Sequence, residues 1–291
     1  MLGWINGEIK PVDKMKLPVL DRAVQYGEGL YETMLVDRET VPLLDRHRQR
    51  LRSSCERIGL PYPGNDRVSN AVQETIDANT SKRKDRDLDQ FVLKLLLTGG
   101  TGDSLYRKPS PEPGLVLMPR PFPDQVDTWR NEGGIARFVP ASGNTGTSLG
   151  QVKSTSRLAE ALALERVHRS DDEYREALFI DDDHRVLQGA KSNVFVLLQD
   201  TWFTPPVSDG LLPGIAREVL LEHADSGSVS ERIVYTRDVL HADGVMVTNA
   251  VTGPVPIRKI VAPSLLAFDR GPLTFSVPDS TVLDDIWTNA L

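Results

Sequence analysis

Lysine is the residue type in this chain that is most informative about chemistry. The sequence has ten lysines against 24 arginines, and most of the ten lie in polar stretches. Lys153 differs, because a polar loop over residues 141–150 leads to it and a predicted helix follows it. A partly desolvated lysine amine has a lowered pKa and can form a Schiff base with a carbonyl compound. Lys153 is therefore a candidate for covalent chemistry, although an ordinary loop lysine is the more common outcome for one residue taken alone.

Other residue patterns give weaker indications. Asp181–Asp183 lies between two apolar segments and is predicted to be a hairpin turn rather than a metal site. The cluster Gly99–Gly102 lacks the Lys-Ser/Thr ending of a nucleotide loop and is also predicted to be a turn. Lys94, in the apolar run 91–98, is interpreted as a strand side chain that extends past a sheet edge to water. The histidines and cysteine show no zinc-type spacing, and no Gly-x-Ser-x-Gly motif occurs, so no metal and no serine nucleophile are expected.

The composition is that of an ordinary globular protein of 291 residues. Its 41 acidic and 34 basic residues give a net charge of −7, which disfavours nucleic acid as a partner. No apolar run approaches the roughly 18 residues of a membrane helix, and the first residues do not resemble a signal peptide. The single cysteine, Cys55, cannot form an internal disulfide. We therefore expect a cytoplasmic protein that acts on a small molecule, without a membrane partner.

Alternating helix and strand signals predict an α/β protein of two domains. Three prolines at positions 119–123 disfavour a central strand and indicate a boundary. We expect a smaller α/β domain over 1–118, a linker over 119–127 and a larger α/β domain over 128–291 that carries Lys153. The predicted helices are 44–58, 66–78, one after 154–156 with Leu158, Leu162 and Val167 toward the core, and 215–223. The predicted strands are 2–6, 91–98, 115–118, 135–139, 176–180, 193–198 and 244–248, with a solvated connection over 80–89.

Six segments in chain order carry a family resemblance: 21–33 (DRAVQYGEGLYET), 47–51 (HRQRL), 152–158 (VKSTSRL), 188–195 (QGAKSNVF), 212–217 (LPGIAR) and 248–257 (TNAVTGPVPI). They resemble the fold-type IV pyridoxal-phosphate enzymes, which include 4-amino-4-deoxychorismate lyases, D-amino-acid aminotransferases and branched-chain aminotransferases. The resemblance implies a two-domain α/β architecture like that of D-amino-acid aminotransferases, with pyridoxal 5'-phosphate in the interdomain cleft. It also implies a homodimer.

The resemblance assigns roles to individual residues. Lys153 corresponds to the lysine that bonds covalently to the cofactor and moves protons at the substrate's α-carbon. Arg50 corresponds to the arginine that pairs with the cofactor phosphate. Backbone N–H groups of Ile215 and Ala216, at the start of a helix, are expected to bind the same phosphate. The remaining assignments are Ser192, Asn193, Asn249 and Ala250 as cofactor-binding residues and Tyr31 as a catalytic residue.

Three positions depart from the family pattern. Gln188 stands where the family usually has a glutamate beside the pyridine nitrogen, and an amide stabilises a protonated ring much less than a carboxylate. Gly99 and Ser104 stand where family members commonly have arginines, which D-amino-acid aminotransferases use to bind the substrate carboxylate; a shifted Arg107 is one conceivable substitute.

These departures favour an aminodeoxychorismate lyase, which makes 4-aminobenzoate and pyruvate for folate synthesis, because formation of an aromatic product can compensate for a weaker electron-accepting ring. The pair Tyr31-Glu32 resembles the aminotransferase strand instead, although Tyr31 could equally be an aromatic residue packed in an interface. The alternatives are a D- or branched-chain amino-acid aminotransferase and a degenerate member without turnover.

Overall fold

A computed structural model describes residues 1–80, 90–106, 112–168, 175–225, 227–261, 272–276 and 281–291. Of the predicted connection over 80–89, only Thr80 is among these residues. Arg107, the conceivable substitute for a missing substrate-binding arginine, lies outside them. The chain divides into two compact units, one of residues 1–122 with 152–156 and one of residues 123–151 with 157–291. Within the described parts of the chain, no helix is both long enough and apolar enough to cross a bilayer.

The first unit is built on a five-stranded antiparallel sheet with the order β2-β1-β5-β4-β3. Its longer helices, α2 and α3, pack on this sheet. The elements are β1 (Leu2–Ile5), β2 (Glu8–Pro11), α1 (Arg22–Tyr26), β3 (Gly29–Asp37), α2 (Leu44–Ile58), α3 (Asn65–Thr80), β4 (Gln90–Thr98) and β5 (Leu115–Pro121).

The apolar periodicity of the sequence accounts for the core of the first unit. Leu51 and Cys55 on α2 are buried, as are Val68, Val72 and Ile76 on α3, at the spacing that places them on one face of each helix. Gly59 ends α2 in a left-handed conformation that glycine adopts without strain. The predictions of both helices are confirmed.

Strand β5 continues through Pro119 to Pro121, beyond the predicted end at Met118, but the proline stretch is not central strand, as the prolines predict. Register explains the difference. Strand β1 pairs with β5 only at Val116 and Leu117, whereas β4 pairs with it as far as Pro121. Beyond Leu117 the strand has only one neighbour, and a proline without an N–H is tolerated at such an edge.

The second unit is built on a mixed ten-stranded sheet with the order β11-β10-β9-β13-β14-β6-β7-β8-β12, and β15 pairs with β14. The pairs β10–β11, β14–β6 and β6–β7 are parallel, and the other pairs are antiparallel. The elements are α4 (Val126–Glu132), β6 (Gly134–Pro140), α5 (Leu158–His168), β7 (Arg175–Ile180), β8 (Arg185–Gly189), β9 (Asn193–Leu198), β10 (Thr201–Thr204), α6 (Ile215–His223), β11 (Val229–Glu231), β12 (Val234–Tyr235), α7 (Thr236–Leu240), β13 (Gly244–Asn249), β14 (Gly253–Val261), β15 (Leu273–Thr274) and α8 (Thr281–Ala290).

The turn at Asp181–Asp183 is confirmed, since the Asp181 side chain accepts hydrogen bonds from the N–H groups of Asp183 and Arg185. This turn joins β7 to β8, a strand that the apolar pattern did not predict, rather than to β9. The orientation predicted for α5 was also wrong. Leu158 and Leu162 are 73% and 45% exposed, while Val167 is buried as predicted and packs with Ala163, which the prediction did not include.

The segment 152–156, which the sequence places in the larger domain, groups with the first unit. Its backbone pairs with β3: the Tyr31 N–H donates to the Lys153 carbonyl over 2.9 Å, and the Thr155 N–H donates to the Gly29 carbonyl over 2.9 Å. The first unit is therefore completed by a segment that follows it by thirty residues.

Candidate active site

Lys153 lies against the aromatic ring of Tyr31 in the first unit. Its Nζ is 4.7 Å from the ring centroid, and the Nζ of Lys94 is also 4.7 Å from that centroid. Both amines therefore make cation–π contacts with one ring, and both side chains are half-buried. The structure brings Tyr31 and Lys153 together and adds a second lysine that the sequence analysis did not include in the site.

The interpretation of Lys94 as a side chain extending past a sheet edge was wrong. Strand β4 lies between β5 and β3, and Lys94 is paired with Thr33 in its interior. A lysine inside an interior strand of leucines is the signal that could have identified it, because such a charge requires a partner or a ligand.

Arg50 is held by a buried carboxylate, Glu32. Arg50 Nε donates to Glu32 Oε1 over 2.9 Å, and Arg50 Nη2 donates to Glu32 Oε2 over 2.5 Å. His47 Nδ1 lies 2.7 Å from Glu32 Oε2. Helix α2 places His47 and Arg50 three residues apart on one face, and the alternation of β3 turns Glu32 inward between Leu30 and Met34. We call Glu32, His47 and Arg50 the buried triad.

The charges of the buried triad follow from its contacts. Burial by itself would raise the pKa of Glu32, but the Arg50 guanidinium and the hydrogen bonds from His47 and Arg50 lower this pKa to about 2. Burial lowers the pKa of His47, which the Glu32 hydrogen bond opposes and the charges of Arg50 and Lys153 reinforce. At neutral pH the triad therefore holds an ionised Glu32, a charged Arg50 and a neutral His47.

In the second unit, Gln188 and Asn193 both bind the backbone of Leu212. Gln188 Oε1 accepts from the Leu212 N–H over 2.9 Å, and Asn193 Nδ2 donates to the Leu212 carbonyl over 3.0 Å. Because the Gln188 oxygen is engaged in this way, its amide nitrogen is the other polar end, and it lies 3.4 Å from Thr145 Oγ1. The two side chains fix the segment that leads into α6.

Ser192 lies beside a second buried carboxylate. Its hydroxyl donates to Glu176 Oε2 over 2.6 Å, and the Ala177 N–H donates to Glu176 Oε1 over 3.0 Å. Burial raises the pKa of Glu176, which the charge of Lys191 and these hydrogen bonds only partly oppose. The Ser192 hydroxyl hydrogen is thus directed to Glu176 in this structure.

Helix α6 begins at Ile215, and both Ile215 and Ala216 are buried. Its N-cap is Gly214, and no side chain of the described residues caps the helix. The first N–H groups of a helix have no partner within it and favour an anion. A Cβ at Gly214 would lie 1.8 Å from Asn193 Oδ1, so a larger residue here would displace the Asn193 side chain from its contact with Leu212.

Asn249 is the last residue of β13, and Ala250 begins the turn that joins β13 to β14. Asn249 Oδ1 accepts from the N–H groups of Val251 and Thr252, over 2.9 and 3.0 Å, so these two donors serve the turn itself. Thr248, which is paired with Asn193 across β13 and β9, buries a hydroxyl for which the described residues provide no hydrogen-bond partner. A bound ligand would satisfy such a group.

Around Gly99 and Ser104, where family members have arginines, the structure places Arg22 instead. Arg22 Nε donates to Glu28 Oε2 over 2.6 Å, and its other nitrogens donate to the carbonyls of Ser104 and Leu105. A Cβ at Gly99 would lie 2.9 Å from the Arg22 Cβ. Arg22 therefore fixes this loop and has its hydrogen bonds directed to protein atoms.

The residues of each unit fit pyridoxal phosphate. The first unit provides a half-buried lysine amine against an aromatic ring and an arginine held in one orientation. The second unit provides the start of α6 at Gly214 and the buried Thr248 hydroxyl. For both of these, the described residues provide no side-chain partner. An amine for the aldehyde and buried donors for a phosphate are the groups that this cofactor requires.

Comparison with known proteins identifies the family. The family model described as amino-transferase class IV matches residues 29–260. A branched-chain-amino-acid aminotransferase of Salmonella typhimurium is 25% identical over 268 residues, which cover 88% of this chain and 84% of that protein. Among solved structures, 4-amino-4-deoxychorismate lyase from Pseudomonas aeruginosa has a TM-score of 0.79 and 27% identity, with 99% of each chain covered. The pyridoxal-phosphate-bound form of a hypothetical aminotransferase from Mycobacterium tuberculosis has a TM-score of 0.82 and 22% identity, covering 100% of this chain and 98% of that one. This chain belongs to the class IV aminotransferase family and uses pyridoxal phosphate as its cofactor.

Proposed function

We propose that the protein is an aminodeoxychorismate lyase that converts 4-amino-4-deoxychorismate to 4-aminobenzoate and pyruvate. The observation that carries the proposal is the fixed amide of Gln188, whose oxygen is engaged by the Leu212 N–H. The other end of the amide is a hydrogen-bond donor, and a donor stabilises an unprotonated pyridine nitrogen. The ring is then a weaker electron acceptor than it is beside a carboxylate, and a lyase whose product is aromatic tolerates this better than a transaminase.

The paired amines of Lys94 and Lys153 support the same substrate class. 4-Amino-4-deoxychorismate carries two carboxylates, one on the ring and one on its enolpyruvyl side chain. Gly99 and Ser104 provide no guanidinium for them, and the Arg22 guanidinium is directed to Glu28 and backbone carbonyls. Lys94, 4.7 Å from the centroid of the ring that Lys153 also contacts, is the cation we assign to a substrate carboxylate.

Lys153 would carry the proton transfers. Pyridoxal phosphate, when bound, supplies an aldehyde for the amine and a ring that accepts electrons. With substrate bound, the Lys153 amine would take the proton from the ring carbon that bears the substrate nitrogen. The C–O bond on the neighbouring ring carbon then breaks and leaves an aromatic ring. The enolate of pyruvate would depart with the bonding electrons and become pyruvate when it takes up the proton held by Lys153. Tyr31 would orient the Lys153 amine, and Arg50 would hold the phosphate.

An aminotransferase acting on D- or branched-chain amino acids is the second candidate. The Salmonella typhimurium relative supports it, as does the pair Tyr31-Glu32. Glu32, however, binds Arg50 and His47, so the role that we propose for Arg50 accounts for Glu32 and does not by itself indicate transamination.

The test is production of 4-aminobenzoate by the purified protein, with pyridoxal phosphate and aminodeoxychorismate generated in situ from chorismate. Product that disappears in Lys153→Ala would support the lyase. No product, with conversion of the cofactor to its amine form by an amino donor, would favour the aminotransferase. Cofactor binding without either reaction would favour the degenerate alternative.

A homodimer in the cytoplasm is part of this proposal. In the first unit, segments around α1 and Gly102 are joined by hydrogen bonds and expose several apolar side chains. Exposed fractions of 53–85% are found for Val19, Leu20, Val24, Leu105 and Tyr106. A second copy would cover them, as exposed apolar patches often mark interfaces. Light scattering on the purified chain would give a dimer mass, and a monomer that is fully active would contradict the proposal.

A further inference from the structure

We infer that Glu32 is a positioning residue for the cofactor phosphate and that it acts through Arg50. The inference rests on the proposed role of Arg50. Glu32 takes two hydrogen bonds from one edge of the guanidinium, at Nε and Nη2, over 2.9 and 2.5 Å. A bidentate pair of this kind fixes the plane of the guanidinium as well as its position. The remaining edge of Arg50 then has a single orientation before any ligand arrives.

His47 fixes the carboxylate in turn. Because Glu32 is ionised, its oxygens only accept hydrogen bonds, so His47 Nδ1 must carry the hydrogen and donate across 2.7 Å. Glu32, His47 and Arg50 are all buried. Without Glu32 and His47, the Arg50 side chain would lose conformational entropy when it binds a phosphate. In the buried triad this entropy is lost during folding, so binding no longer carries that cost.

Glutamine at position 32 separates this role from simple packing. Its side chain has nearly the same size, but it has one oxygen where Glu32 uses two to receive Arg50 and His47. The amide nitrogen would face a donor, so the guanidinium could no longer be held at both nitrogens. Arg50 would keep its charge and lose its fixed orientation.

The experiment compares two ligands of the full-length apoprotein, pyridoxal phosphate and pyridoxal, which lacks the phosphate. For Glu32→Gln we expect the Kd of pyridoxal phosphate to rise by about 10- to 100-fold, the usual range for a lost hydrogen-bonded pair with a charged group. The Kd of pyridoxal should stay the same, because Lys153 still forms the covalent bond. Glu74→Gln is the control, since Glu74 accepts the Trp4 indole N–H over 2.7 Å in the same unit and does not bind Arg50.

A double-mutant cycle tests whether Glu32 acts through Arg50. Arg50→Lys keeps the charge and removes the planar fork. In that background Glu32→Gln should change the Kd of pyridoxal phosphate little, because the group being positioned is gone. If Glu32→Gln does not fold, Glu32→Asp can be used, because it retains both oxygens on a shorter side chain. It should also raise the Kd of pyridoxal phosphate and not that of pyridoxal, by a smaller factor.

Equal weakening of both ligands, or equal effects of Glu32→Gln with and without the Arg50 fork, would overturn the inference and leave Glu32 a packing residue. An unchanged Kd for pyridoxal phosphate would overturn it as well. Failure of the proposed lyase is a separate result, because both Kd values are measured without any substrate.

Discussion

Each unit contains a buried carboxylate whose pKa is shifted, and the two shifts have opposite directions. Glu32 and Glu176 both lie on strands and are both removed from water. Glu32 contacts a guanidinium, and its pKa falls to about 2. Glu176 contacts a hydroxyl and backbone N–H groups, and its pKa rises. Burial raises the pKa of both groups, and a cation opposes this in each case. The charge of Lys191 and the neutral donors offset only part of the burial of Glu176. The bidentate hydrogen bonds and charge of Arg50, together with His47, reverse it for Glu32.

Replacing Arg50 by an uncharged residue should leave Glu32 in an environment like that of Glu176, without a guanidinium in contact. Arg50→Met leaves Glu32 buried with His47 as its remaining partner in the triad. We expect the free energy of unfolding at pH 7 to fall by about 3–5 kcal/mol, the range for breaking one side of a buried pair. Urea unfolding measures this loss, and Arg50→Lys, which keeps a cation, should lose less. A loss below that of Arg50→Lys would contradict the comparison.

The free energy of unfolding should depend on pH through the ionisation of Glu32. Its pKa is lower in the folded protein than the ordinary 4.5, so its contribution is complete above pH 4.5 and is lost as the pH falls to about 2. The size is about 3 kcal/mol, since one pKa unit corresponds to about 1.4 kcal/mol. Wild type and Glu32→Gln should therefore converge in unfolding free energy between pH 4.5 and 2. Parallel curves across this range would show that Glu32 is not the ionised group.

A further buried carboxylate can be introduced at Gln188. Gln188→Glu keeps an oxygen for the Leu212 N–H but adds a charge without a guanidinium in contact, like that of Glu176. We expect the apoprotein to lose about 2 kcal/mol of unfolding free energy at pH 8, within the range for an uncompensated buried polar group. Pyridoxal phosphate should restore part of it, because a protonated ring nitrogen would pair with the carboxylate. The rate of the proposed lyase reaction should be unchanged or higher, and an inactive variant would show that the amide is required.

Replacing Glu176 should give the smallest change in the free energy of unfolding, and this change should be stabilising. Glu176→Gln removes a charge whose burial is unfavourable and keeps an oxygen for the Ser192 hydroxyl. Because the pKa of Glu176 is raised, its cost is absent below pH 4.5 and grows as the pH rises through the folded-state value. The variant should match wild type at pH 4 and exceed it by up to about 1 kcal/mol at pH 8. Thermal unfolding at the two pH values measures the difference, and destabilisation at pH 8 would assign the carboxylate a structural role.

The sequence predicts those parts of the molecule that depend on neighbours along the chain. Strand β9 and helix α6 have the predicted bounds, since an apolar run defines the strand and Pro213-Gly214 precedes the helix. Strand β8, with the short sequence RVLQG, was missed because it lacks such a run. The contact of Glu32 with Arg50 was also missed, since eighteen residues separate them and no local period connects them. A signal existed nevertheless, because alternation along β3 places Glu32 on the same inward face as Leu30 and Met34, where a carboxylate requires a partner.

The pairing of residues 152–156 with β3 has a consequence for synthesis on the ribosome. The chain leaves the first unit after residue 122 and returns to it only at residue 152. A nascent chain of 122 residues therefore lacks the strand-like segment that binds the backbone of Gly29 and Tyr31. The first unit cannot be completed during translation until part of the second has been made. An expression fragment that stops at the first boundary would likewise expose the β3 edge to other chains, and a useful fragment must carry residues 152–156 with it.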